Sequence, residues 1–327
     1  MQTLNQNLNT LKNKIARTIA VLRRVSPVWM RKLISRQLKD AFIDLEWMLY
    51  RSHHVFVRTE VSPPTHPILV ISIPKNGTHL LRSILLSLPK TCSRLHLPSG
   101  IQGVNSCDAL LAAGKSQLRN LKPGSVYSWH LPYFPEIASW LDEHEIKRFF
   151  IFRDPRDYTV SLCQFIMKNP PHPPPAPYFD FLNSLRNDSE RLMHCIRGFT
   201  IGKATKTNLL SPDCLPDVNA MYRHFIGWRN DPNTCSVRYS DLASSQVPKS
   251  KNVQKNTFES MLRYLGVIDQ PLSNEAFGEL LETGTDPKKS PTFRLGKVGH
   301  WKQVYRPEHK EATDQIASEL LLELGYL

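Results

Sequence analysis

Ile68-Leu69-Val70-Ile71-Ser72-Ile73-Pro74-Lys75-Asn76-Gly77-Thr78-His79 is the stretch on which the reading of this chain turns. Its first six residues form a short apolar run rich in β-branched side chains, the pattern of a parallel strand buried on both faces. Pro74 to Gly77 break that strand, and from Thr78 to Leu88 the apolar residues recur at helical spacing. Strand, tight turn and helix together suit an anion cradle, although a short Gly-Thr turn before a helix is common on its own. Gly77 lets the backbone turn closely, and the helix start brings N–H groups and the positive end of its dipole. Lys75 adds a full charge and Thr78 a hydroxyl.

Outward from this stretch the same alternation continues. Ser125 to Trp129, Arg148 to Phe152 and Cys235 to Tyr239 read as further strands. Pro155 to Met167 reads as a helix, and Pro307 to Leu322 as a closing helix with Pro at its first position. Alternating strands and helices predict an α/β fold: a central, mainly parallel sheet flanked by helices, in a three-layer architecture like that of the P-loop NTPases. The body is expected over residues 62–327, beginning near Ser62-Pro63-Pro64, with residues 1–61 as a basic helical arm.

The arm carries much of the charge. The chain of 327 residues has a formal net charge of +13, and residues 1–39 hold nine Lys or Arg with no Asp or Glu. The remaining 33 basic residues stand against 29 acidic ones, so the body is only mildly basic. Residues 11–50 read as two amphipathic helices split by Pro27. Three readings stay open: contact with an anionic membrane surface, a targeting presequence, or a helix pair packed on the body. The segment 168–177 contains six prolines and reads as a stiff surface connection or a lid.

The composition narrows the function classes. Basic residues are not interleaved with aromatics as in a strand-binding groove, so nucleic acid is not expected as a partner. Six scattered Cys show no Cys-x-x-Cys spacing and no zinc-like cluster. No metal is expected, and the free thiols suit a reducing, cytoplasmic setting. No uninterrupted apolar segment suggests a membrane span or a signal peptide. A Walker A run, Gly-x-x-x-x-Gly-Lys-Ser/Thr, is missing at the cradle.

Four stretches, in order, carry a resemblance. Pro74-Lys75-Asn76-Gly77-Thr78-His79 resembles the Pro-Lys-Ser/Cys-Gly-Thr loop of the sulfotransferases that use 3′-phosphoadenosine 5′-phosphosulfate (PAPS). Arg153-Asp154-Pro155-Arg156-Asp157, with Ser161 eight positions after the Arg, resembles that family's 3′-phosphate motif. Arg238-Tyr239-Ser240-Asp241-Leu242 resembles its Tyr-Glu-Asp-Leu strand end, and Phe293 to Lys302 its closing loop Arg-Lys-Gly-x-x-Gly-Asp-Trp-Lys. Ser128-Trp129-His130-Leu131-Pro132 is similar to the segment bearing the family's catalytic His.

The resemblance implies a role for each of these residues. Lys75, Asn76, Gly77, Thr78 and His79 hold the 5′-phosphosulfate of PAPS. Arg153 and Ser161 hold its 3′-phosphate, Tyr239 lies near the adenine, and Arg294, Leu295 and Gly296 close over the nucleotide. His130 is the general base, with Lys75 as the catalytic cation. The residues themselves suit these roles. Arg153 ends a strand, where α/β folds place ligands, although an ion pair with Asp154 or Asp157 is an equally simple use for it. An unperturbed imidazole, with pKa about 6.5, is mostly neutral at pH 7 and can accept a hydroxyl proton. The chain departs from the family at Leu80 (commonly Trp), Ser128 (Lys) and His300 (Asp), and lacks the short C-terminal dimer motif.

The implied reaction is in-line sulfuryl transfer from PAPS to a hydroxyl of a small-molecule, glycan or lipid acceptor. The alternatives are a nucleotide-dependent kinase of related fold, or a non-catalytic, nucleotide-binding protein associated with membranes through its arm.

Overall fold

The structure, a computed structural model, describes residues 55–96, 107–118, 121–168, 177–201, 213–243, 248–284 and 297–327. The arm segment 11–50, most of the Pro-rich segment, and Arg294, Leu295 and Gly296 lie outside the described residues. By internal packing the chain divides into two units, Met1–Val55 and Phe56–Leu327.

The described residues open with helix α1 (Val55–Glu60), whose Val57 N–H donates to Glu279 and whose Glu60 carboxylate accepts from the Ser273 N–H. Then come β1 (Ile68–Ser72), α2 (Thr78–Leu86), β2 (Cys92–His96), α3 (Cys107–Gln117), β3 (Ser125–Trp129), α4 (Pro135–Glu143), β4 (Lys147–Phe152) and α5 (Pro155–Lys168). After α6 (Pro177–Ser184) and α7 (Asp188–Arg197), β5 (Phe199–Thr200) and β6 (Cys214–Leu215) form a small antiparallel pair. Helices α8 (Val218–Arg223) and α9 (Gly227–Asn230) lead to β7 (Thr234–Arg238). The chain closes with α10 (Tyr239–Ala243), α11 (Pro248–Tyr264), α12 (Asn274–Gly284), α13 (Trp301–Val304) and α14 (Pro307–Glu323).

The main sheet has five strands in the order β2-β3-β1-β4-β7, and every pairing in it is parallel. The α/β architecture expected from the sequence is therefore present. Strand β1 is fully buried along its length, as its unbroken apolar run requires. Alternate residues face opposite layers. Leu69, Ile71, Trp129, Phe150 and Phe152 pack into one core with Leu141 of α4, Tyr158 of α5, Tyr222 of α8 and Leu320 of α14. From the other face, Phe149 meets Tyr264 of α11 edge-on at 5.2 Å.

The four strands predicted from sequence all form, within a residue at each end. Strand β2 is not among them. Cys92-Ser93-Arg94-Leu95-His96 has none of the apolar density of the inner strands; β2 lies at the sheet edge and pairs with β3, with a register shift between Ser93 and His96. The closing helix runs over Pro307–Glu323, with Pro in its first turn as expected and non-helical backbone angles at Ala317.

The register sets where the strands end. Ile71 pairs with Trp129 of β3 and with Phe150 of β4, so these three strands finish side by side. The segments after β1, β3 and β4 thus open from one edge of the sheet.

Strand β4 is anchored at its start by a fully buried arginine. Arg148 donates to the Ala138 carbonyl at 2.7 Å and pairs with Asp231 at 3.1 Å and Asp142 at 2.8 Å. Removing one side of such a pair leaves buried charge uncompensated. Arg148→Ala is expected to destabilise the fold by roughly 3–5 kcal/mol. Urea unfolding of the variant against wild type measures it, and a loss below about 1 kcal/mol would show that Arg148 is not the anchor of β4.

Candidate nucleotide and catalytic site

The turn after β1 is tight. Lys75 adopts a left-handed backbone with φ 69° and Gly77 has φ 101°. Only glycine fits at 77 on a second count as well: a Cβ there would stand 2.4 Å from Cδ2 of Tyr239. The ring of Tyr239, the first residue of α10, is thus pressed against the turn. No side chain caps the N-terminus of α2, so that helix end presents its dipole to whatever the turn encloses.

Two hydroxyls and one imidazole tie the turn to the neighbouring strand end. Ser72 Oγ lies 2.5 Å from Thr78 Oγ1 and 3.2 Å from His130 Nδ1. His130 Nδ1 also lies 2.9 Å from the Ser72 carbonyl oxygen. A carbonyl can only accept, so Nδ1 carries the proton and donates it. In the neutral ring, Nε2 is then the nitrogen with the lone pair. The Lys75 ammonium lies 4.1 Å from the ring centroid of Phe165 on α5, a cation–π contact that directs it along that helix.

On the far side of β1, Arg153 follows the end of β4. Its Nη2 donates to the Lys297 carbonyl at 2.7 Å and lies 3.7 Å from Asp157 Oδ2. Its guanidinium carbon stands 4.8 Å from the centre of the Tyr239 ring. Of the two carboxylates that sequence offers as partners, Asp154 is committed elsewhere. It binds Arg156 through both oxygens, at 2.9 and 2.8 Å. Asp157 is the nearer partner of Arg153, but its oxygens also accept from the N–H groups of Gly299 at 2.8 Å and Trp301 at 3.0 Å. Ser161 sits half-buried on the second turn of α5.

Tyr239 bridges the two halves, with its ring against Gly77 on one side and beneath Arg153 on the other. Burial pushes its phenol pKa up. Tyr222 of α8 makes a second bridge. Its hydroxyl reaches the Asn76 side-chain oxygen at 2.9 Å and the Arg153 carbonyl at 2.8 Å. Burial raises its pKa well above that of a free phenol, so the hydroxyl stays protonated. The sequence held no signal for Tyr222, since a buried aromatic on a helix ordinarily reads as core. Nor did it single out Ser72, which looks like one polar residue at a strand end.

Lys75, Asn76, Gly77, Thr78, His130, Arg153 and Tyr239 therefore gather along one edge of the sheet, with His79 in the first turn of α2 and Ser161 on α5. Among the described residues no group of His, Cys, Asp and Glu could hold a metal ion, and no helix is long and apolar enough to cross a membrane.

A tight turn at the end of the central strand, an arginine at the end of the next, and an aromatic ring against both lie at one edge of an α/β sheet. Residues 65–325 match the family model described as the sulfotransferase domain, and the chain belongs to that family. The fold is similar to that of mouse sulfotransferase SULT7A1 complexed with PAP, at TM-score 0.53 and 16% identity, covering 84% of this chain and 91% of that one. A retinol dehydratase in complex with androsterone and the inactive cofactor PAP matches at TM-score 0.49 and 17% identity over 83% and 85% of the two chains.

The Gly77 geometry makes a direct prediction. Gly77→Ala must place a methyl group against the Tyr239 ring while holding a left-handed φ, a strain of roughly 1–3 kcal/mol before any packing loss. A lower melting temperature is expected, with loss of adenosine bisphosphate binding measured by calorimetry. Unchanged binding would mean that the ring and the turn do not need each other.

Proposed function

We propose that this protein transfers a sulfuryl group from PAPS to a hydroxyl acceptor by in-line displacement, without a metal ion. The observation that carries the reading is the Ser72–His130–Thr78 contact set. It supports an imidazole whose proton sits on Nδ1 and whose Nε2 can accept, joined through one serine to the turn proposed for the donor's 5′ end. A base and an anion cradle coupled at hydrogen-bond range suit a reaction in which a hydroxyl loses its proton as its oxygen attacks sulfur.

In this reading His130 Nε2 takes the acceptor's proton, the new S–O bond forms, and the bond from sulfur to the 5′-phosphate oxygen breaks. Lys75, with Asn76, Gly77, Thr78 and His79 of the turn and first helical turn, steadies the charge that builds on the departing phosphate. Arg153 and Ser161 grip the 3′-phosphate, and Tyr239 flanks the adenine. The PAP named in the mouse structure is the nucleotide this reaction would leave behind, which supports PAPS as co-substrate. Arg294, Leu295 and Gly296 are proposed to complete the nucleotide site from the closing loop. Most of the rate would come from alignment and electrostatics. The acceptor is proposed to be a small molecule or a glycan or lipid hydroxyl, and the basic segment 11–50 would serve as a contact with a membrane surface.

Calorimetry with 3′,5′-adenosine bisphosphate, AMP and ATP tests the donor. The bisphosphate should bind tightly and the other two weakly. Arg153→Ala should weaken the bisphosphate roughly 10- to 100-fold, the worth of a charge-assisted contact. Equal or tighter binding of ATP would instead favour a kinase. His130→Ala should cut sulfuryl transfer by about 10²–10⁴ while leaving bisphosphate affinity unchanged. Turnover that survives the substitution would remove His130 as the base.

A further inference from the structure

The Tyr222 hydroxyl sits at a junction that the reaction itself does not explain. It contacts the Asn76 side-chain oxygen at 2.9 Å and the Arg153 main-chain carbonyl at 2.8 Å. A phenol has one proton, and two oxygens that only accept cannot both receive it. The Asn76 amide nitrogen, meanwhile, is buried with no hydrogen-bond partner among the described residues. Turning the Asn76 amide end for end removes the conflict at the phenol. Nδ2 then donates to the phenol oxygen, and the phenol donates to the Arg153 carbonyl. The result is a directed chain, Asn76 to Tyr222 to Arg153, between two fully buried side chains and a main-chain carbonyl.

We infer that Tyr222 is a positioning residue that fixes the distance between the two phosphate subsites of the nucleotide site. The inference rests on the proposed donor reading, in which Asn76 belongs to the 5′ subsite and Arg153 to the 3′ subsite. Strands β1 and β4 are neighbours in the sheet, but the turn after one and the arginine after the other leave the sheet's hydrogen-bond ladder, which no longer holds them together. Tyr222 restores that link through its hydroxyl, which contacts both segments. The ring itself is held by Tyr158 of α5 at 5.6 Å, nearly perpendicular. Helix α8 is fixed at its start by Asp217, which accepts from the Ala220 N–H at 2.8 Å.

The same segment reaches the proposed base. The His224 carbonyl, at the end of α8, accepts from the Tyr133 N–H at 2.7 Å, and Trp228 of α9 donates to the Leu131 carbonyl at 2.8 Å. The stretch 218–228 therefore touches the turn after β1, the residue after β4 and the segment following His130. Within it, Tyr222 is the side chain whose hydrogen bonds reach both phosphate subsites.

A ligand with two phosphates gains from a fixed spacing, because binding at one end places the other end in register. A ligand with one phosphate gains nothing from it. This separates positioning from general loss of stability. Tyr222→Phe keeps the ring and removes the bridge. Calorimetry on the full chain should show affinity for 3′,5′-adenosine bisphosphate falling about tenfold, with AMP affinity changed less than about twofold. Asn76→Ala breaks the bridge from its other end, and adding Tyr222→Phe to it should cause little further loss of bisphosphate preference over AMP. Should Tyr222→Phe not fold, the bisphosphate-to-AMP ratio of Asn76→Ala carries the test alone, and an unchanged ratio would overturn the inference. So would equal losses for the two ligands in Tyr222→Phe, or no loss. Failure of wild type to prefer the bisphosphate would instead overturn the donor reading beneath it.

Discussion

Burial of β1 on both faces is the constraint from which the site is built. A strand with no solvated face has its backbone buried too, so its N–H and C=O groups must be met along both edges, and β3 and β4 supply the partners in parallel register. Parallel pairing puts the carboxyl ends of all three strands at one edge, where the chain must leave the sheet. There the interior run ends at Ser72, the one polar side chain of β1, and its hydroxyl is spent within the protein on Thr78 and His130. Ser72 converts a packing requirement into a chemical one. It can be buried only if its hydroxyl is satisfied, and the groups that satisfy it belong to the proposed anion cradle and to the proposed base.

The legibility of this arrangement in the sequence tracks its physical origin. The β1 run could be read because burial on both faces demands an unbroken apolar string, and the turn because only Gly tolerates what happens at 77. Arg153 was visible as a charge at a strand end, although the sequence could not decide whether Asp154 or Asp157 would claim it. Edge strand β2 was hidden because Cys92-Ser93-Arg94-Leu95-His96 carries no apolar run to mark it, whereas β7 at the other edge keeps Val237 in the core. Tyr222 was hidden for a different reason. It lies 146 residues from Asn76 and 69 from Arg153, and no local pattern marks a phenol whose proton is needed at such distances. Contacts that depend on topology, rather than on strand or helix periodicity, leave no trace in spacing.

The paired roles of two arginines illustrate how one short motif divides its labour. Arg156 is committed within the protein. It binds Asp154 through two nitrogens, donates to the Tyr326 carbonyl at 3.0 Å, and lies 4.0 Å above the Trp301 ring. Such a guanidinium is a structural fastener. It ties the start of α5 to α13 and to the segment after α14, and its charge is cancelled at contact distance by Asp154.

Arg153 is arranged in the opposite way. Its short contact is to a neutral carbonyl, that of Lys297, and its carboxylate neighbour Asp157 stands at 3.7 Å, beyond the range of a strong charge-assisted bond. Asp157 already accepts two backbone N–H groups from the turn before α13, and those bonds share its negative charge with the loop. The positive charge on Arg153 is thus only partly met, in a site where its side chain is 12% exposed and solvent offers little screening. An anion arriving there exchanges a neutral partner for a charged one, a gain that Arg156 cannot offer because it would have to surrender Asp154 first. The Lys297 carbonyl belongs to the segment that resembles the closing loop, so in the proposed donor reading an anion on Arg153 would have to displace a contact from that segment.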